Sequence, residues 1–191
     1  MEQADCIVAA AGRSARMGEW KPLLPFRGTT IIQAVVEAAL SACSRVHLVT
    51  GYRAGELARV FAGARGVVVI ENPEWELGMF SSIHRAAREV GTARFFITLG
   101  DKPFIPADAY RALLAAEPAD AVFAAFGATR GHPVLFGPRV REAILTADPR
   151  SGSMKDIVAR FTVRELPWQD DSVLTDIDTP EQYRAMTARA P

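Results

Sequence analysis

The feature that most narrows the fold of this chain is an alternation. Short apolar runs are each followed by a longer stretch whose apolar residues recur every three or four positions. Residues 6–10, 46–50, 67–70 and 94–99 read as strands. Between them, Thr30 caps a helix through about residue 42, with Ile31, Ala34, Val35, Ala38 and Ala39 on one face. A second helix is expected over residues 54–61. A third lies within 78–90, where Ile83, Ala86, Ala87 and Val90 share a side. Pro106 opens a helix to about residue 116, since the first turn does not need the missing amide. Residues 120–125, 134–136 and 162–166 read as further strands, and 139–146 and 155–160 as helices. Asp178 or Thr179 caps a closing helix with Glu181 near its start. Strands that alternate with helices pair in parallel, and a parallel sheet must be covered on both faces. The expected fold is therefore α/β, a mainly parallel sheet in one domain over residues 1–191, with no repeat, low-complexity tract or long linker. Ligands of such sheets bind at the carboxyl ends of the strands. The residues just after each strand are the ones to inspect.

Charge narrows the partners. Lys plus Arg and Asp plus Glu both number 22, a net charge of zero, which argues against broad binding to nucleic acid or to an acidic membrane surface. A local basic site remains open. The first five residues carry no basic stretch before an apolar one, and no apolar run approaches membrane-spanning length, so a cytoplasmic location is expected. Cys6 and Cys43 sit in no CxxC pair and near no His at ligand spacing, and are read as two reduced thiols.

Five segments carry possible chemistry. After strand one comes Ala9-Ala10-Ala11-Gly12-Arg13-Ser14-Ala15-Arg16-Met17-Gly18, then Lys21-Pro22. Small residues let backbone amides approach a bulky anion, and three cations on one loop suit a triphosphate. The loop is neither a P-loop nor a dinucleotide fingerprint. A plain surface loop is the competing reading. Strand four ends in Leu99-Gly100-Asp101-Lys102-Pro103, where Asp101 either meets a hard cation such as Mg²⁺ or caps a turn. Thr175-Asp176-Ile177-Asp178-Thr179-Pro180-Glu181 offers two carboxylates two positions apart, on one side of an extended segment, and doubles as a helix start. In Arg130-Gly131-His132-Pro133, His132 is extended before proline and either contacts a phosphorylated acceptor or is structural. Gly78, Ser81 and Ser82 either present donors at a helix start or cap it after a surface loop. His47 and His84 have no partner in the sequence and are read as structural.

Taken together and in this order, the segments resemble a known family. Ala10-Ala11-Gly12-Arg13-Ser14-x-Arg16-Met17-Gly18-x-x-Lys21 is similar to the signature loop of the MobA-like NTP transferases related to molybdenum-cofactor biosynthesis, and Leu99-Gly100-Asp101-x-Pro103 resembles their metal-binding segment. Gly131-His132-Pro133-Val134-Leu135-Phe136 and Asp176-Ile177-Asp178-Thr179-Pro180-Glu181 resemble features of the cytidylyltransferase branch. The resemblance runs from about residue 6 to about residue 185. It implies a three-layer α/β/α, Rossmann-like (GT-A-like) fold and attack of an acceptor phosphate on the α-phosphorus of an NTP, with release of pyrophosphate. On this reading Ala10, Ala11, Gly12 and Arg13 hold the nucleotide. Lys21 neutralises the reacting phosphates, and Asp101 and Asp178 hold Mg²⁺. Gly100, Ser81, Ser82 and His132 are the further expected ligand contacts. Such transfer needs positioning and charge neutralisation more than a covalent catalyst.

The resemblance further implies CTP as donor, molybdopterin as acceptor, and a molybdoenzyme or its chaperone as recipient of the product. Ala11 stands where guanylyl-transferring relatives tend to have glycine. Two residues depart from the pattern. Lys102 replaces a residue that is more often uncharged, and Met154 replaces an expected arginine; both are expected near the acceptor. Competing readings are a transferase for a sugar phosphate or polyol phosphate, one that joins GTP to molybdopterin, and a catalytically silent NTP-binding chaperone or regulator.

Overall fold

The computed structural model describes residues 4–187. One seven-stranded sheet forms the centre: β1 (Asp5–Ala9), β4 (Arg45–Thr50), β5 (Val67–Glu71), β6 (Phe95–Leu99), β7 (Ala121–Phe126), β8 (Thr129–Phe136) and β9 (Val163–Pro167), in the spatial order β5-β4-β1-β6-β8-β7-β9. A small hairpin of β2 (Pro25–Phe26) and β3 (Thr29–Thr30) stands apart from it. β1 pairs in parallel with β4 and β6, β4 with β5, and β7 with β9. β8 alone runs antiparallel, between β6 and β7.

Each central strand alternates its side chains between two cores, as a period of two requires. From β1, Cys6 and Val8 join one cluster and Ile7 the other; from β6, Phe96 joins the first, and Phe95 and Ile97 the second. Helices α1 (Ile31–Leu40), α2 (Ala54–Val60) and α4 (Ala107–Ala115) fill the first cluster with Ile32, Val35, Leu57, Tyr110 and Leu113. On the opposite face, α3 (Met79–Ala87), α5 (Pro138–Thr146) and α6 (Met154–Val158) supply Ile83, Ala86, Val140, Ile144 and Ile157. The result is the three-layer α/β/α arrangement. The closing helix α7 (Pro180–Thr187) lies by a small third cluster of Met17, Phe26, Ile31 and Ile177, where Tyr183 donates to the Pro25 carbonyl at 2.8 Å.

Topology places the site. The chain runs β1, β4, β5 outward in one direction and then crosses to the other side of β1 with β6. The crevice at the carboxyl ends of β1 and β6 is thus the switch point, and Ala9 is level with both Val49 and Leu99 there. β8 is longer than the expected 134–136, because its first half carries polar residues and glycine in place of an apolar run. After β9 the chain returns along this end of the sheet. Gly131 permits the return, since a Cβ there would collide with the Val173 carbonyl. The returning segment is then fixed where the Ile177 amide donates to the Asp101 carbonyl at 3.0 Å. Both cysteines are buried and free. Among the described residues no helix is long and apolar enough to cross a membrane.

Candidate active site

The loop after β1 folds back on itself and turns Lys21 inward. Ser14 takes a left-handed conformation (φ 57°), and its hydroxyl accepts the Lys21 amide at 3.2 Å. The Lys21 carbonyl accepts from the Leu24 amide at 2.9 Å, and Met17 is buried against Phe26, Ile31 and Ile177. Lys21 itself is buried. Its ammonium donates to Asp101 Oδ2 at 2.9 Å and to Asp178 Oδ1 at 2.9 Å. Two contacts through one nitrogen leave the carboxylate oxygens less than ~6 Å apart, with one cation, the ammonium, serving both. Arg16, exposed on the same loop, reaches Asp178 Oδ2 at 2.8 Å.

Asp178 is held by the helix start it belongs to. Gln182 Oε1 accepts both the Asp178 amide (2.8 Å) and the Thr179 amide (2.9 Å), while the Gln182 amide donates to Thr179 Oγ1 at 3.3 Å. This is a reciprocal capping box with Thr179 as the cap, which leaves the Asp178 carboxylate free for the site. Partial burial opposes ionisation of Asp178, but Lys21 and Arg16 outweigh it and hold the carboxyl below its ordinary range. Asp101 Oδ1 is shielded from solvent and has no hydrogen-bond partner. A stranded carboxylate oxygen of this kind invites a ligand.

Two clefts meet at this point. The first, about 260 Å³, is lined by Ala10, Ser14, Arg16, Lys21, Gly100 and Asp178; the second, about 310 Å³, by Ala11, Trp75, Gly78, Met79 and Ser82; Ala9, Gly12 and Asp101 line both. A Cβ on Gly12 would meet nothing, so the loop leaves open space over that backbone. Gly100 is glycine for another reason: a Cβ there would crowd Ala10 Cβ at 2.8 Å and Ile32 Cδ1 at 3.1 Å, which would push the ends of β1 and β6 apart.

The other expected contacts are dispersed. Asn72 brackets the buried serines, donating to Ser81 Oγ at 2.9 Å and Ser82 Oγ at 3.0 Å, and of the two serines Ser82 alone lines either of these clefts. The Ser81 hydroxyl is turned to the Gly78 carbonyl at 2.8 Å. Arg13 is exposed on the outer flank of the loop and lines a separate cleft with Trp20, Tyr52 and Arg53. His132 lies in β8, with Nδ1 3.3 Å from the Ile97 carbonyl, and lines neither site cleft. Lys102 is buried and donates to the Leu174 carbonyl at 2.6 Å, with Asp176 Oδ2 at 3.7 Å. That pairing separates the two carboxylates of the C-terminal segment: Asp178 faces Lys21, and Asp176 faces Lys102. Met154 lines a groove with Phe123, Arg130 and Phe161, away from Asp101. The bridging position of Lys21 and the bracket formed by Asn72 had no signal in spacing. Their partners lie 80, 157, 9 and 10 residues away.

Known proteins share this fold and much of this sequence. Residues 6–166 match the MobA-like NTP transferase domain. The chain is 33% identical to molybdenum cofactor cytidylyltransferase of Escherichia coli K12 over 96% of its own length and 95% of that protein's. It is 30% identical to nicotine blue oxidoreductase of Paenarthrobacter nicotinovorans, covering 94% and 95%. Among solved structures, Rv0371c of Mycobacterium tuberculosis superposes with a TM-score of 0.82 at 29% identity, over 97% of this chain and 98% of that one; in its complex with manganese the TM-score is 0.77. A domain match across most of the chain, relatives aligned nearly end to end, and a glycine-bearing loop facing a strand-end carboxylate place this chain in the MobA-like NTP transferase family, as a nucleotidyltransferase.

Proposed function

We propose that this nucleotidyltransferase transfers CMP from CTP to a phosphorylated acceptor of the molybdopterin class, with Mg²⁺ held between Asp101 and Asp178. The observation that carries the reading is the convergence of those two carboxylates on one cation, the Lys21 ammonium, which lies 2.9 Å from an oxygen of each. The residues fit a hard divalent ion. The donors are carboxylate oxygens, and Asp101 Oδ1 is buried without a partner. Among the described residues no group of three His, Cys, Asp or Glu side chains gathers to hold a metal. Magnesium is commonly held by one or two carboxylates with the remaining positions taken by phosphates and water. The name of the 33% identical relative supports the choice of cytidylyl transfer and of the acceptor class.

On this reading the first cleft takes the triphosphate, against the backbone at Gly12 and the side chains of Ser14, Arg16 and Lys21. The nucleoside lies in the second cleft beside Ala11 and Ser82, and the acceptor meets the α-phosphorus at Asp101, where the clefts join. An acceptor phosphate oxygen forms the new bond to the α-phosphorus as the bond to the β-phosphate oxygen breaks, and pyrophosphate leaves. Magnesium, when bound, offsets negative charge on the reacting phosphates. Lys21 and Arg16 offset the charge that gathers on the departing pyrophosphate, and an interaction that strengthens there raises turnover. Ser82 and the Gly12 backbone orient the nucleotide.

Asp101→Ala should lose nearly all pyrophosphate release from CTP and molybdopterin while its melting temperature stays within a few degrees of the parent. Full turnover in that variant would reject the assignment. Running the same assay with a sugar phosphate, a polyol phosphate and GTP separates the competing substrates. No pyrophosphate from any pairing would favour a silent binding protein, or a reaction of another class, as borne by the name of the 30% identical relative.

A further inference from the structure

Lys21 stands where the metal is expected. Of the four carboxylate oxygens on Asp101 and Asp178, two accept from the Lys21 ammonium at 2.9 Å and a third is taken by Arg16 at 2.8 Å. Only Asp101 Oδ1 has no protein partner. The arrangement is built into the loop. Lys21 is buried, its amide donates to Ser14 Oγ, and its carbonyl accepts from Leu24. Mg–O bonds are about 2 Å long, so an ion bound to the same two oxygens would lie almost on the ammonium. Two cations cannot share that position.

Resting on the metal site proposed above, we propose that Lys21 is the resident counter-cation of that site, so that a divalent cation enters effectively only together with a triphosphate, onto which the ammonium moves. Lys21 and Arg16 both line the first cleft, the space the triphosphate would fill. A metal ion arriving alone must displace a buried ammonium that then has no anion to meet. Arriving with a triphosphate, the ion takes the carboxylates while the phosphates receive Lys21, and every charge keeps a partner. Metal and nucleotide therefore bind with positive coupling, and the coupling is reciprocal. The exchange also favours metal-loaded nucleotide over either component, which makes Lys21 a residue that selects the form of substrate as well as one that touches it.

The test is direct binding of Mn²⁺, followed by electron paramagnetic resonance, to the parent protein, Lys21→Met, Lys21→Gln and Asp101→Asn. Each is titrated with and without CTP (GTP where CTP does not bind), with correction for chelation by free nucleotide. Thermal melts verify that the variants are folded, and the double variant Lys21→Met with Asp101→Asn reports whether the bound ion is at this site. Without nucleotide, the single variants should bind Mn²⁺ at least about tenfold more tightly than the parent, and the gain should vanish in the double variant. Nucleotide should raise the affinity of the parent for Mn²⁺ about tenfold or more, and that of the variants by less than about threefold. If the variants bind Mn²⁺ alone no better than the parent, while the parent shows Mn²⁺ binding with nucleotide that Asp101→Asn abolishes, the role of Lys21 is wrong and the metal site stands. If no protein shows Mn²⁺ binding that depends on Asp101, under either condition, both fall. Should neither Lys21 variant fold, absence of coupling between Mn²⁺ and nucleotide in the parent is sufficient to overturn the proposal.

Discussion

At the scale of single residues, His132 has the clearest dependence on pH. Enclosure of its ring lowers its pKa from about 6.5 to about 4; the Ile97 carbonyl opposes that shift, nearby Lys102 adds to it, and Asp101 opposes it. Below pH 6.5 the unfolded chain binds a proton on this residue that the folded chain does not. Stability is therefore fully present above that pH and falls as the pH drops towards 4. The loss is up to about 3 kcal/mol, less whatever the partly exposed ring recovers from solvent. Asp178 has its pKa depressed, so its contribution is kept above the ordinary carboxylate range and lost only in more acidic solution. Urea unfolding at pH 7 and pH 4.5 should show a steeper loss in the parent than in His132→Gln. Parallel profiles would mean that the imidazole is not titrating differently on folding. Ala11 has a second single-residue consequence. It is buried at the wall of the second cleft, and its carbonyl accepts from the Tyr52 amide at 3.0 Å, which fixes the methyl group beside the proposed nucleoside position. Ala11→Gly should loosen selection of CTP over GTP by about 1–3 kcal/mol, read by competition at equal concentrations of the two. An unchanged ratio would place the base elsewhere.

At the scale of elements, the meeting of β8 with the returning segment sets the geometry of the second carboxylate. Gly131→Ala would drive a methyl group into the Val173 carbonyl, and the backbone of one partner would have to yield. That segment carries Asp176 and Asp178, so the variant should lose on the order of 1–3 kcal/mol of stability and most of its transfer activity. Normal activity in a destabilised Gly131→Ala protein would show that the displacement stops short of Asp178. The strands that pack helices on both faces were legible because burial on two sides demands an unbroken apolar run, as in Cys6-Ile7-Val8 and Phe95-Phe96-Ile97. The first half of β8 was not, since Thr129 and Arg130 pair with the last residues of β7 and Thr129-Arg130-Gly131 gives no apolar signal. The hairpin at Arg27 and Gly28 was also missed, each strand being only two residues long. Within the proposed site, Lys21, Asp101 and Asp178 stood out as a cation and two carboxylates at predicted loop positions, and the fold brings the three together. The neighbours that tell Asp178 from Asp176 were not, because Lys102 meets the second segment across 72 residues of chain. His47 shows the same limit: its partner is the buried Asp5, 42 residues away, at the far end of the sheet from the site.

At the scale of the whole molecule, a chain with no net charge gathers three cations and three carboxylates at one end of the sheet. Lys21, Arg16 and Lys102 face Asp101, Asp176 and Asp178 where the strands end, while the two apolar layers hold that end in place. The parts of this end come from widely separated stretches. Lys21 and Asp101 are 80 residues apart, and Lys21 and Asp178 are 157 apart. On the proposed site, the last of these three residues to be made, Asp178, sets when a newly made molecule becomes competent. A ribosome adds about 5–20 residues each second, so Asp178 is made roughly 4 to 15 seconds after Asp101 at those rates. During that interval the nascent chain carries the basic loop and one carboxylate, with no second carboxylate to complete them. On the proposed role of Asp178, a chain abandoned before that residue should release no pyrophosphate from nucleotide, and competence cannot arrive until Asp178 has been made and has folded against Lys21.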